Sequence, residues 1–107
     1  MKTEQPIPLL ERHRSDLVDI CRRHGVERLD VFGSVARGDS VSGVSDIDFL
    51  VSFPQPGTPG YADRYLDLAE SLESVLGCHV DLMTERSLRN PILRARIARD
   101  RRTFYAA

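Results

Sequence analysis

Two aspartates, Asp46 and Asp48, lie two positions apart in the segment Asp46 to Val51, where polar and apolar side chains alternate as far as Phe49 and apolar ones continue to Val51. Alternation with a period of two is typical of a β-strand. Side chains two residues apart on a strand point to the same face, so the two carboxylates face one space, about 7 Å apart at Cα. Like charges placed in this way repel each other, and a cation between them removes that cost. The pair is therefore a candidate cation site.

A third carboxylate, Asp81, lies in the alternating segment His79 to Met83, on the opposite side of that predicted strand from Val80 and Leu82. Adjacent strands can bring like faces together, and Mg²⁺ prefers carboxylate oxygens and often bridges substrate phosphates. Two such ions, about 3.5–4 Å apart, stabilise the attacking and leaving oxygens of an in-line displacement at phosphorus. We therefore predict that Asp46 and Asp48 bind metal, and that Asp81 completes one metal site and accepts the proton of an attacking hydroxyl.

A turn at Gly33 and Ser34 follows a short apolar segment and precedes a possible short helix. Glycine permits close backbone approach, and serine adds an N–H and a hydroxyl donor, which suits a phosphate at a helix N-terminus. Arg37 is equally compatible with a phosphate contact and with simple exposure to solvent. The alternative for the acidic pair is a polar edge strand, but the Gly-Ser turn upstream and the acid downstream favour phosphoryl or nucleotidyl transfer.

The elements that position these groups follow from apolar spacing and from glycine and proline breaks. The predicted order is a helix over 8–24, strands over 28–32 and 46–52, a Pro- and Gly-rich linker over 53–60, a helix over 61–76, a strand over 79–83 and a last helix from Pro91, capped by Asn90, to about Tyr105. The acids of the helix over 61–76 are assigned to a solvated face, and Ile92, Leu93, Ile97 and Phe104 to the buried side of the last helix. This order predicts an α/β (α+β) fold, a small mixed sheet flanked by helices.

Length and composition restrict the possible classes of protein. A chain of 107 residues predicts a single domain over 1–107, and no apolar run approaches the roughly 18 residues of a membrane span. Two cysteines without metal-ligand spacing predict neither a disulfide framework nor a zinc site, so we expect a cytoplasmic protein. Residues 86–107 carry seven arginines against Asp100. These arginines suit solvent, an acidic partner protein or a phosphate, and without interleaved aromatics direct nucleic-acid binding is disfavoured.

A family resemblance rests on the strings Gly33-Ser34-Val35-Ala36-Arg37-Gly38, then Ser45-Asp46-Ile47-Asp48-Phe49-Leu50-Val51, and later Val80-Asp81-Leu82. In this order they resemble the minimal nucleotidyltransferases of the DNA polymerase beta superfamily, over about residues 25 to 105. The eleven residues between Ser34 and Asp46 form a slightly longer spacer than is usual in that family.

The resemblance implies the polymerase beta-like fold, a site of Asp46, Asp48 and Asp81 with Mg²⁺, and ATP as substrate. It also implies that the chain is the antitoxin of a HEPN-domain toxin. The antitoxin would inactivate this toxin by transferring AMP to one of the toxin's tyrosines. Two alternatives stay open. One is an antitoxin that masks its toxin without catalysis, and the other is a nucleotidyltransferase that modifies a small molecule or nucleic acid with a separate acceptor-binding subunit.

Overall fold

A computed structural model of the chain describes residues 8–33, 36, 46–54, 60–84 and 88–107. Its elements in chain order are α1 (Pro8–Arg12), α2 (Arg14–Arg23), β1 (Arg28–Phe32), β2 (Asp46–Ser52), α3 (Tyr61–Leu76), β3 (His79–Thr84), α4 (Pro91–Asp100) and β4 (Arg102–Ala106). The strands form one mixed sheet in the order β3-β2-β1-β4. This architecture confirms the predicted fold class. None of the helices in the described ranges is long and apolar enough to cross a lipid bilayer.

Strand β1 pairs antiparallel with both β2 and β4, whereas β2 pairs parallel with β3. A parallel pair needs a crossover connection, and α3 supplies it between β2 and β3. Helix α3 ends at Gly77, whose φ of 71° lies in the left-handed region and whose N–H donates to the carbonyl of Glu73. Gly77 and Cys78 alone separate this helix from β3, so the last turn of α3 lies against the start of that strand.

Apolar side chains cover both faces of the sheet, in two separate clusters. On one face Ile47, Phe49 and Val51 of β2 join the larger cluster with buried leucines of α2 and α3. On the other face Leu50 joins a smaller cluster, which includes Ile97 of α4. The strand alternation of β2 therefore places Asp46 and Asp48 on the face of the smaller cluster.

The predicted last helix is wrong beyond Asp100. Helix α4 ends there, Arg101 is extended, and residues 102–106 form β4 against β1. Phe104 is buried, but it reaches the larger cluster from a strand. Threonine and aromatic residues favour a pleated surface, and β1 offers an unpaired edge for them. Within α4 the buried position of Ile97 is confirmed, whereas Ile92 is 71% exposed, contrary to the prediction.

A buried acid, Asp30, ties β1 to the chain between α4 and β4. Its side chain is inaccessible to solvent and accepts hydrogen bonds from Arg28 Nε at 2.9 Å and from Arg101 Nε at 2.7 Å. A buried carboxylate is stable only with such partners. A second arginine of this region, Arg102, donates from Nη1 to the carbonyl oxygen of Ala36 at 3.1 Å. The C-terminal strand is thereby linked to the chain that follows Gly33.

Candidate active site

The register of β2 against β3 places all three predicted carboxylates on one face of two neighbouring strands. Asp48 lies opposite Asp81, and Asp46 lies opposite His79. Side chains of directly opposite residues share a face of the sheet, so these four groups lie together and away from the larger apolar cluster. A parallel pair in this register is sufficient to assemble acids that are more than thirty positions apart in the chain.

The closest group of metal-ligating side chains in the described residues consists of Asp46, His79 and Asp81, whose ligand atoms lie within 4.8 Å of one another. His79 Nδ1 is 3.3 Å from Asp46 Oδ1 and 3.5 Å from Asp81 Oδ1. The three side chains are between 46% and 60% exposed, so a ligand from solvent can reach them. Carboxylate oxygens and an imidazole nitrogen converging in this way suit a divalent cation.

Gly33 brings the backbone against Asp48 immediately after β1. It has a φ of 77°, in the left-handed region that favours glycine. A Cβ at this position would overlap Asp48 Oδ2 and lie 3.4 Å from Asp48 Cγ. Glycine is therefore required here both by the backbone conformation and by the space that the carboxylate occupies. The other two predicted phosphate-binding residues, Ser34 and Arg37, lie outside the described residues.

Glu73, from the last turn of α3, also reaches this corner. Its Oε2 accepts the N–H of Val80 at 3.0 Å and lies 3.9 Å from His79 Nε2. The prediction that every acid of this helix faces solvent is wrong for Glu73. The sequence did indicate that Glu73 lies near β3, because it is four residues before Gly77. A two-residue connection forces the last helical turn onto the first residues of the next strand.

The electrostatic effect of this corner is visible at Cys78, which precedes β3. Burial raises the pKa of the Cys78 thiol, and the negative charges of Asp46 and Glu73 raise it further. A local field that disfavours a thiolate also attracts cations. The charge of the site therefore agrees with the chemistry of its donor atoms.

A family model described as a nucleotidyltransferase domain matches residues 14–105. The chain belongs to the nucleotidyltransferase domain family. A protein of Methanocaldococcus jannaschii, named "Putative protein adenylyltransferase MJ1379", is 39% identical to this nucleotidyltransferase over 101 residues, 94% of this chain and 96% of the relative. Protein adenylyltransferase MntA of Thermococcus cleftensis is 37% identical over 84 residues, 78% of each chain. These relatives confirm the resemblance to minimal nucleotidyltransferases.

Solved structures agree with this membership. A structure described as a "putative minimal nucleotidyltransferase" is 36% identical to this chain and superimposes on it with a TM-score of 0.71. The match covers 94% of this chain and 98% of the other. Two more distant structures share the fold. One is a toxin-antitoxin complex with AMP-PNP (22% identity, TM-score 0.66, 87% and 73% coverage). The other is a tri-AMPylated Shewanella oneidensis HEPN toxin with its MNT antitoxin (19% identity, TM-score 0.62, 91% and 72% coverage).

Proposed function

We propose that this nucleotidyltransferase transfers AMP from ATP to a hydroxyl group of a HEPN-domain toxin and acts as the antitoxin of that toxin. The observation that carries the proposal is the β2–β3 register, which gathers Asp46, Asp48 and Asp81 beside Gly33. Relatives named protein adenylyltransferases support the reaction, and the fold shared with an MNT antitoxin bound to an AMPylated HEPN toxin supports the partner. We propose the cytoplasm as the location, because ATP is available there as the donor.

In this proposal Asp46, Asp48 and Asp81 would hold divalent ions, which would supply neutralisation of phosphate charge and stabilisation of the attacking and leaving oxygens. Three carboxylates would suffice for two Mg²⁺ ions, because Mg²⁺ is usually bound by only one or two protein carboxylates. Gly33 lets the triphosphate approach the backbone. Ser34 and Arg37 supply a hydroxyl donor and a cation for its phosphates.

The chain contributes to transfer by positioning groups and accepting a proton. The acceptor hydroxyl oxygen forms a bond to the α-phosphorus, and the bond from that phosphorus to the oxygen bridging the α- and β-phosphates breaks. Pyrophosphate leaves with the electron pair of that bond. The carboxylate of Asp81 accepts the hydroxyl proton.

The test combines the purified protein with ATP labelled at the α-phosphate, Mg²⁺ and the protein encoded by the neighbouring gene. We expect label on that protein, and we expect Asp48→Asn and Asp81→Asn each to lower the rate by at least about 100-fold. The matched control is Asp19→Asn, an exposed acid of α2 that forms a surface ion pair with Arg23. Absence of label from a partner that binds the wild-type chain would refute the proposal.

A second measurement separates catalysis from masking. Co-expression of the toxin with the Asp48→Asn variant should fail to protect cells, although the variant still binds the toxin. Full protection by this variant would show that binding alone neutralises the toxin. Transfer of label to tRNA or to an aminoglycoside, without the toxin, would instead identify another acceptor.

A further inference from the structure

We propose that His79 is an additional metal ligand, through Nδ1, and that it makes the site take transition-metal dications such as Mn²⁺ in preference to Mg²⁺. The inference rests on the proposed function only in placing the metal beside Asp46 and Asp81. The aspartates offer a metal only oxygen ligands, and His79 adds a nitrogen ligand. Imidazole suits Fe²⁺, Ni²⁺, Cu²⁺ and Zn²⁺ best, and Mn²⁺, although it also favours oxygen, accepts a nitrogen ligand more readily than Mg²⁺ does.

The position of the imidazole between two carboxylates is the first observation. Its Nδ1 lies 3.3 Å from Oδ1 of Asp46 and 3.5 Å from Oδ1 of Asp81. Both separations exceed the usual hydrogen-bond range of about 2.7–3.2 Å. They are close to the spacing of about 3 Å between neighbouring ligand atoms around an ion with metal-ligand distances near 2.1 Å. The ring is therefore placed for sharing an ion with both acids.

The second observation is the carboxylate behind the ring. Glu73 Oε2 lies 3.9 Å from His79 Nε2, on the side away from the two aspartates. That oxygen is itself fixed by the N–H of Val80 at 3.0 Å. At 3.9 Å there is no direct hydrogen bond, so the Glu73 carboxylate acts on the ring through its negative charge. That charge favours the tautomer with hydrogen on Nε2, which leaves the Nδ1 lone pair for a metal.

The backbone brings these side chains together through paired strands and a helix end. His79 begins β3 and lies in register with Asp46 of β2, and Asp81 lies two residues further along the same strand face. Glu73 is held at its place by the short connection from α3 to β3. The four side chains thus come from two paired strands and a helix end, so that their convergence does not depend on a loop.

The experiment measures Mn²⁺ binding to the full chain without nucleotide, by the electron paramagnetic resonance signal of free Mn²⁺ and by pulsed spectra of the bound ion. Wild type should show coupling to a directly bound ¹⁴N nucleus and should bind Mn²⁺ more tightly than Mg²⁺. His79→Gln should lose the ¹⁴N coupling and lower Mn²⁺ affinity by about tenfold or more, while Mg²⁺ affinity changes by less than about threefold.

Two further variants separate ligand, support and general damage. Glu73→Gln keeps an oxygen for the Val80 N–H but removes the charge, and it should weaken Mn²⁺ binding by about tenfold. The control is His13→Gln, which replaces a histidine before α2 whose side chain makes no cap hydrogen bond. It should bind Mn²⁺ like the wild type, and all variants should show cooperative thermal unfolding.

Absence of Mn²⁺ binding by the wild type, bound Mn²⁺ without ¹⁴N coupling, or unchanged Mn²⁺ affinity in His79→Gln would each overturn the assignment. These outcomes differ from failure of the proposed function. If ¹⁴N coupling is present but no AMP reaches the toxin, the metal ligand stands and the acceptor is wrong. If AMP is transferred but the coupling is absent, the reaction stands and His79 is not a ligand.

Discussion

Replacing Gly33 by alanine should strain the backbone and also displace Asp48, and replacing Gly77 by alanine should strain the backbone alone. Gly33 and Gly77 have nearly the same positive φ, 77° and 71°, but different surroundings. A Cβ on Gly33 meets the carboxylate of Asp48, whereas a Cβ on Gly77 meets nothing within 4 Å. The two alanine variants therefore carry a similar backbone cost, and only one of them displaces a residue of the candidate site.

The magnitudes follow from these two terms. A non-glycine residue in the left-handed region costs about 1–2 kcal/mol, so both variants should lose that much free energy of unfolding and about 5–10 °C in Tm. In Gly33→Ala the Asp48 carboxylate must also retreat by on the order of 1 Å to restore a normal contact. A misplacement of this size costs about 100-fold in rate, or about 2.7 kcal/mol of transition-state stabilisation.

The assay pairs thermal unfolding with the initial rate of AMP transfer to the toxin. Gly77→Ala should retain the wild-type rate within about threefold at a temperature where it is folded, and Gly33→Ala should not. Equal transfer rates in the two variants would refute the conclusion that contact between Gly33 and Asp48 positions the site.

Three other predictions concern stability and reactivity. Asp30→Asn should lower the free energy of unfolding by about 3 kcal/mol, since it removes the buried negative charge that accepts from Arg28 and Arg101; urea unfolding measures this. Phe104→Ala should lower it by about 3–5 kcal/mol, because the ring is buried in the larger cluster from β4. Burial raises the pKa of Cys21 to about 12, so at pH 9 only about one thousandth of this thiol is ionised. Iodoacetamide at pH 9 should therefore leave Cys21 unlabelled in the folded protein and label it in denaturant, as measured by mass spectrometry.

Each of these has an outcome that contradicts it. Asp19→Asn, in an exposed ion pair, is the control for Asp30→Asn and should cost no more than about 0.5 kcal/mol; equal losses would remove the special role of burial. A loss below about 1 kcal/mol in Phe104→Ala would contradict the placement of β4. Rapid labelling of Cys21 before unfolding would contradict its burial. The thiolate fraction rises tenfold per pH unit below the pKa, so labelling should increase towards pH 11.

Local patterns were sufficient for most of the fold. The bounds of β1, β2 and α3 were predicted to the residue, because alternation or helical spacing ends at a glycine or in the Pro-rich segment in each case. The start of α4 was also predicted, since the Asn90 side chain accepts the N–H of Ile92 at 2.9 Å as a cap. The failure lies at residues 102–106, whose strand depends on pairing with β1, far away in the chain.

The same distinction applies to the site. The face shared by Asp46 and Asp48 could be predicted from alternation alone, and Asp81 could be added because its strand also alternates. Glu73 was missed, because helical spacing marks it only as polar; the short connection after Gly77 indicated that it lies near β3, but its contact with the Val80 N–H depends on how α3 meets β3. Asp30 was missed for the same reason: its partner Arg101 is 71 positions away.

The side chains of β2 limit how this strand can change in evolution. Because its two faces bear either site acids or core residues, insertion of a single residue before Asp46 would leave pairing free to readjust, whereas the same insertion after Ile47 would exchange the faces of everything beyond it. Phe49 would then lie on the face of Asp46, and the carboxylate of Asp48 would enter the larger cluster. We therefore expect length differences among relatives to fall outside this strand. A shifted register during folding would disrupt both the packing of the larger cluster and the candidate site.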